Sequence, residues 1–182
     1  NFMNCAQILW FQNALQGQDQ LRQRAAFALS QIWVISGNTV QYSDGYLKYY
    51  ETLNNRAFGN YFDIMKDVSL TSAMGYYLDM GNSAVEAPGS IGNENYAREI
   101  MQLFSIGLNR LWPDGSLVLD SQGALVPTYD QDVVDGLARV FTGLHYPQPF
   151  VGGRQPASFN PPPDPLNPIP LAPPEHCRDS QP

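Results

Sequence analysis

The sequence predicts a mainly α-helical, bundle-like domain with a small inserted β-hairpin and a proline-rich C-terminal tail. Three observations carry this prediction. Apolar residues return at helical spacing through most of residues 4–142. Two turn signals, Pro-Asp-Gly and Ser-Gln-Gly, punctuate short strand-like runs at about 110–127. Beyond Tyr146 prolines become so frequent that neither a helix nor a central strand can persist. Residues 1–147 are therefore assigned to a helical domain, and 148–182 to a tail that is extended over the domain or a disordered polyproline-like chain.

The elements follow in order. Residues 4–16 place Ile8, Leu9, Phe11 and Leu15 at helical spacing, with Gly17 as a stop. A second helix is predicted over 20–36, capped by Asp19 and apolar nearly all round in its second half, where Phe27 and Val34 oppose the main stripe. Such a helix belongs at the centre of a bundle. After a turn-rich linker, Tyr46, Leu47, Tyr50, Leu53, Asn54 and Ala57 form one stripe ending at Gly59. "NYFDIMKDVSL" directs Phe62, Met65 and Val68 inward, and Ser72 is placed as the cap of a short helix, "AMGYYLDM". "GNSAVEAPGSIG" at 81–92 is a loop.

The stretch "NENYAREIMQLFSIGL", 93–108, divides into one apolar and one polar arc at helical spacing. Tyr96, Ala97, Ile100, Met101, Leu103, Phe104, Gly107 and Leu108 share an apolar arc; Glu94, Asn95, Arg98, Glu99, Gln102 and Ser105 share the other side. Asn93 is a good N-cap and Glu94→Arg98 a well-oriented i,i+4 pair. After the hairpin, Thr128 and Gln131 read as a capping box opening a helix over 132–142, with Asp132 in its first turn and Asp135→Arg139 along its polar side. Val133, Val134, Leu137, Ala138, Val140 and Phe141 would face the core.

Composition narrows the functions. A formal charge of −7, with no run of basic residues, speaks against nucleic acid. No apolar stretch approaches the length of a membrane span. Only 15% of residues are charged, below the usual share, while aromatic residues abound, a mix found in many exported proteins. Cys5 and Cys177 fit neither a zinc cluster nor a disulfide framework; one long-range disulfide or two separate thiols both stay open. A start without Met inside a helical pattern, and an end within prolines, read as a piece of something larger.

Chemistry-bearing patterns are sparse. His145 and His176 are the only histidines; the first suits a helix C-terminus. No nucleophile elbow, phosphate loop, dinucleotide fingerprint or zinc spacing occurs. The glycine loop before Asn93 opens a helix N-terminus, but Glu94 in the first turn opposes an anion there. Asp114, Asp120 and Asp130, with Asp132 and Asp135, supply the hard oxygens calcium would want, yet turn and cap chemistry accounts for each, so no cofactor is expected. A glycosidase-like acid/base pair would draw on Glu94 or Glu99 with Asp79, and Arg98 would stand beside it. The competing reading has Glu94, Arg98 and Glu99 facing the 132–142 helix, with Arg98 and Asp135 fixing register.

"NENYAREIMQLFSIGL" followed by "TYDQDVVDGLARVFTGLHYP" resembles the paired signature of the bacterial domain of unknown function 1800 family. "DQLRQRAAFALSQIWVIS" and "AFGNYFDIMKDVSLTSAMGYYLDM" match it upstream in the same order, so the resemblance spans roughly residues 10–147. Signature positions map onto Asn93, Glu94, Asn95, Tyr96, Ala97, Arg98, Glu99, Asp132, Ala138, Arg139, Thr142 and Gly143. Many members carry a Trp-His-Asn-His-Phe run where this chain has "LSQIW", so any metal those histidines bind elsewhere has no counterpart here; Leu144 stands where Trp is usual. The resemblance implies a mostly helical part of a large, often exported protein, hence a periplasmic or secreted location, and implies no reaction. The reading at this level is a structural or interaction module whose partner is another protein or the remainder of a larger chain, its small-molecule ligands unknown. The alternative is a hydrolase-like or metal-assisted enzyme using the acidic residues around Glu94.

Overall fold

The structure, a computed structural model, describes residues 3–40, 43–84 and 91–144. Histidines 145 and 176, Cys177 and the predicted tail lie outside the described residues. Among those described the fold is mainly helical, with seven helices: α1 Met3–Gln16, α2 Gln20–Ser30, α3 Ser43–Asn55, α4 Tyr61–Ser69, α5 Ser72–Tyr77, α6 Asn95–Gln102 and α7 Gln131–Val140. They belong to two compact units, Asn82–Gly143 and the remainder.

The first unit is built on α1–α5. Its core holds Trp33, Val40, Leu53, Val68, Ala73, Met74 and Met80, each almost wholly withdrawn from water. A polar cluster ties α2 to α3 inside it. Tyr50 donates its hydroxyl hydrogen to Gln23 Oε1 at 2.9 Å, and Gln23 Nε2 reaches Asn54 Oδ1 at 3.4 Å. Arg22 adds a 2.9 Å bond to the Asn54 carbonyl, and Arg56 pairs with Asp67 at 2.6 Å to join α3 and α4. Burial pushes the Tyr50 phenol up to about 12 and the deeper Tyr49 phenol further still.

Several predicted details change. The second helix stops at Ser30, not residue 36: Ile32 and Trp33 amides both turn back to the Leu29 carbonyl, and the chain leaves the helix to bury Trp33. Gln23 and Ala26 face the core, whereas Phe27 and Val34 are exposed, so α2 is not central to the bundle. Asp19 precedes α2 without a side-chain cap and instead accepts from Gln23 Nε2 at 3.1 Å. Phe62 points outward because Ile64 and Val68 take the inner face of α4. Thr71, one residue before the predicted Ser72, caps α5, since its hydroxyl accepts from the Met74 amide.

In the second unit α6 and α7 bury Ala97, Met101, Val134 and Ala138 between them, with Ile100, Tyr129, Leu137 and Phe141 packed on that cluster. The helix of 93–108 is shorter than predicted. It ends at Gln102, the Phe104 amide turns back to the Glu99 carbonyl, and Gly107 takes a left-handed φ of +75°. A straight continuation would carry Phe104 about 12 Å along the axis from Tyr96; the turn instead buries Phe104 with its ring 6.4 Å from that of Tyr96. Leu103 and Leu108, predicted inside, are exposed as a result. On α7, Val133 and Val140 are exposed for the simpler reason that Val134 and Ala138 fill the narrow contact.

The predicted capping box is also replaced. Asp130 caps α7, accepting from the Val133 amide at 3.1 Å, while Thr128 donates its hydroxyl hydrogen to the Gly107 carbonyl. No regular hairpin forms among the described residues. Residues 109–127 make isolated antiparallel bridges, Asn109 with Pro127, Leu111 with Leu117 and Leu119 with Leu125. Turns at Gly115 and Gly123 reverse the chain before any pairing can extend into a ladder. Three backbone bonds close a ring instead: the Val118 amide donates to Arg110, Val126 to Val118, and Arg110 to Val126, at 3.0, 3.2 and 2.9 Å.

Candidate functional site

Most signature residues lie on α6, α7 and the ends of these helices, and several have a local cause. Asn93 Oδ1 accepts from the Asn95 amide at 2.9 Å, satisfying one of the free donors at the start of α6. The Asn93 amide in turn donates to Ser83 Oγ at 2.9 Å, and the Ser83 carbonyl accepts from the Gly143 amide at 3.1 Å. Ser83 thus fastens the start of α6 to the end of α7. Gly92 sits in this junction at φ +79°, where a Cβ would stand 2.8 Å from Thr142 Cγ2 and 3.1 Å from Ser83 Oγ. Only glycine meets both conditions. Thr142 closes the end of α7 by donating to the Arg139 carbonyl at 2.7 Å.

The charged side of α6 meets α7. Arg98 Nη2 donates to Glu94 Oε2 on its own helix and, at 2.7 Å, to Gln131 Oε1 on α7. Gln131 Nε2 donates back to Glu94 Oε2 at 3.2 Å and onward to Asp135 Oδ1 at 2.5 Å. Arg98 does not meet Asp135 directly; Gln131 stands between them. The group is half open to water, the Arg98 and Glu94 side chains being 43% and 27% exposed. Beneath it Tyr96 is buried edge-on against Phe141, with ring centroids 4.9 Å apart. Glu99 differs from Glu94: its Oε2 is buried and accepts no hydrogen bond from the described residues.

The predicted acidic candidates divide. Asp79 belongs to the first unit and occupies a left-handed turn at φ +56°, whereas Glu94, Arg98 and Glu99 lie in the second. Asp114 Oδ1 accepts from the Ser116 amide and hydroxyl at 2.9 and 2.7 Å, and Asp120 Oδ1 from the Gln122 and Ala124 amides at 2.8 and 2.9 Å. These bonds favour the charged form and hold both carboxyls below their ordinary 3.8. Each aspartate, Asp130 included, is thereby committed to its own turn or cap. Among the described residues no group of three or more His, Cys, Asp or Glu side chains is arranged to hold a metal ion. No helix there is long and apolar enough to cross a membrane.

Three features were missed in the sequence. Ser83 sits in a loop with no periodic signal. Gln131 reads in the sequence as half of a capping box, which hides its role between helices. The leucines of 109–127 were placed in a hairpin without a stated face, yet alternation sets Leu111, Leu117, Leu119 and Leu125 on one side of the bridged turns, each about half exposed.

No curated protein and no solved structure matches this chain. The Asn93–Glu99 motif reaches α7 through Gln131 and, by way of Ser83, reaches Gly143 at its end. The family model for DUF1800, described as a protein of unknown function, matches residues 1–164, and the chain belongs to that family.

Proposed function

We propose that this protein is a structural or interaction module rather than a catalyst, and that the leucine face of its second unit is the surface it offers. The observation that carries this reading is the row Leu111, Leu117, Leu119 and Leu125, 48–57% exposed. Backbone bonds fix the turns that carry it, so the row is presented ready-made. Exposed apolar side chains grouped on one side of a rigid element mark an interaction surface more often than isolated ones do. The signature charges support the same view, since Glu94, Arg98, Gln131 and Asp135 spend their hydrogen bonds on one another. An extracytoplasmic location is in keeping with a composition of only 15% charged residues.

The test is a photo-crosslinking residue at position 119 of the full-length protein in its native host. The reading expects one discrete protein adduct that disappears when Leu111 and Leu125 are both changed to Asp, at unchanged stability. Its absence would overturn the module.

The buried, unpaired Glu99 Oε2 favours a second reading, a hydrolase-like or metal-assisted enzyme with Glu99 as its acid or base. Metal analysis of the purified protein and hydrolysis of ester or glycoside panels discriminate the two. Activity abolished by Glu99→Gln without loss of stability would establish the enzyme.

A further inference from the structure

The first unit holds a pocket of about 420 Å³ between α1, the end of α2 and α3. Six of its lining side chains are aromatic: Trp10, Phe11, Phe27, Tyr46, Tyr49 and Tyr50. Among the described residues no Asp, Glu, Lys or Arg lines it. Its remaining polar groups are Gln7, Ser30 and Gln31; the Ser30 hydroxyl donates to the Phe27 carbonyl and Gln31 Nε2 to Ser30 Oγ, which leaves the Gln7 amide and the second Gln31 N–H as side-chain donors for a ligand. Phe11 and Phe27 stand at the mouth, 58% and 45% exposed.

These features select a ligand. A charged ligand would find no counter-ion, and a sugar wants more convergent polar groups than this lining provides. A proline-rich strand fits on both counts. Its rings pack on aromatic faces, its prolines carry no N–H to satisfy, and its unbonded carbonyls need donors. The same chain carries such a strand. "PPPDPLNPIPLAPP", 161–174, contains one charged residue, Asp164, and intersperses Leu166, Ile169 and Leu171 among its prolines. Sixteen residues separate it from Leu144, where the described chain ends. Sixteen residues reach at most roughly 53–58 Å, and a tether of that length raises the strand's effective concentration toward about the millimolar range.

We propose that this aromatic pocket is the docking site of the chain's own proline-rich segment, held there as a polyproline-type strand. The inference concerns the first unit and is independent of the leucine-face reading of the second. A second copy of the protein would dock by the same chemistry; the test separates the two.

The test uses the full chain with Cys5→Ser and a nitroxide on Cys177, three residues beyond Pro174, and reads the indole N–H signals of its three tryptophans. Docking predicts that the Trp10 signal falls at least threefold relative to the reduced label. It predicts recovery of that signal in the variant with Pro161, Pro162, Pro163 and Pro165 all changed to Ser, and likewise in Phe27→Asp, while Trp33 reports an intact core in every variant. An unaffected Trp10, or one equally affected without the prolines, overturns the proposal. So does broadening that vanishes on tenfold dilution, which would assign the pocket to a second copy.

Discussion

Arg98 and Gln131, thirty-three residues apart, join the two helices of the second unit through a 2.7 Å bond from guanidinium to side-chain amide. Gln131 then hands the contact to Asp135 at 2.5 Å. A signature that reads as acid and base along one helix is thus, in space, a strap between two.

That strap predicts a coupled pair. Arg98→Met should leave the protein folded and lower its stability by about 1 kcal/mol, the modest worth of a half-exposed charge-assisted bond. Gln131→Ala should cost a similar amount, and the double variant less than the sum by roughly 0.5 kcal/mol or more. Urea unfolding of the four proteins measures it; strict additivity would show that the two side chains act separately.

Gly92 and Thr142 make a steric prediction. Gly92→Ala combines a left-handed φ of +79° with a Cβ 2.8 Å from Thr142 Cγ2, so a loss of about 2 kcal/mol is expected. Gly115→Ala, at φ +83° with open space around it, should cost about 1 kcal/mol, from backbone strain alone. Adding Thr142→Ser removes the clashing methyl and should restore part of the Gly92→Ala loss. Equal melting shifts for the two alanine variants would contradict the packing described here.

Tyr50 tests the polar cluster of the first unit. Tyr50→Phe removes the 2.9 Å bond to Gln23 and leaves a buried oxygen without its donor, an expected cost of about 1–3 kcal/mol. Changing Gln23 to Leu in the same protein should recover some of it, because the stranded oxygen is then gone. Thermal unfolding of both variants decides.

The pH response of 109–127 follows from Asp114 and Asp120. Both carboxyls are held below 3.8 in the folded chain by donors from Ser116, Gln122 and Ala124. A depressed folded value means the charged form contributes above the unfolded value, and the contribution is lost as pH falls through the folded one. Amide signals of Ser116, Gln122 and Ala124 should therefore titrate with midpoints under 3.8, together with loosening of the turns. Midpoints at or above that value would show the bonds absent in solution.

Much of the fold was legible because it is local. Spacing of apolar residues located the helices, though not all of their ends, and Pro-Asp-Gly marked a true turn. The candidate site was legible only as a motif. Glu94 and Arg98 stand one helical turn apart, a relation periodicity reveals, but their bonds to Gln131 cross a loop of more than twenty residues. Glu99 was assigned to the wet side, and only packing reveals that one of its oxygens is covered.

The sequence by itself determined the helical class, the family signature and the lack of any run of basic residues, since composition and spacing act over a few residues. The tertiary structure decided where 93–108 stops, because burying Phe104 beside Tyr96 outweighed continuing a helix. It also decided that the leucines of 109–127 face outward and that six rings surround a pocket. Those outcomes depend on contacts between distant segments, whose free energies no local pattern contains.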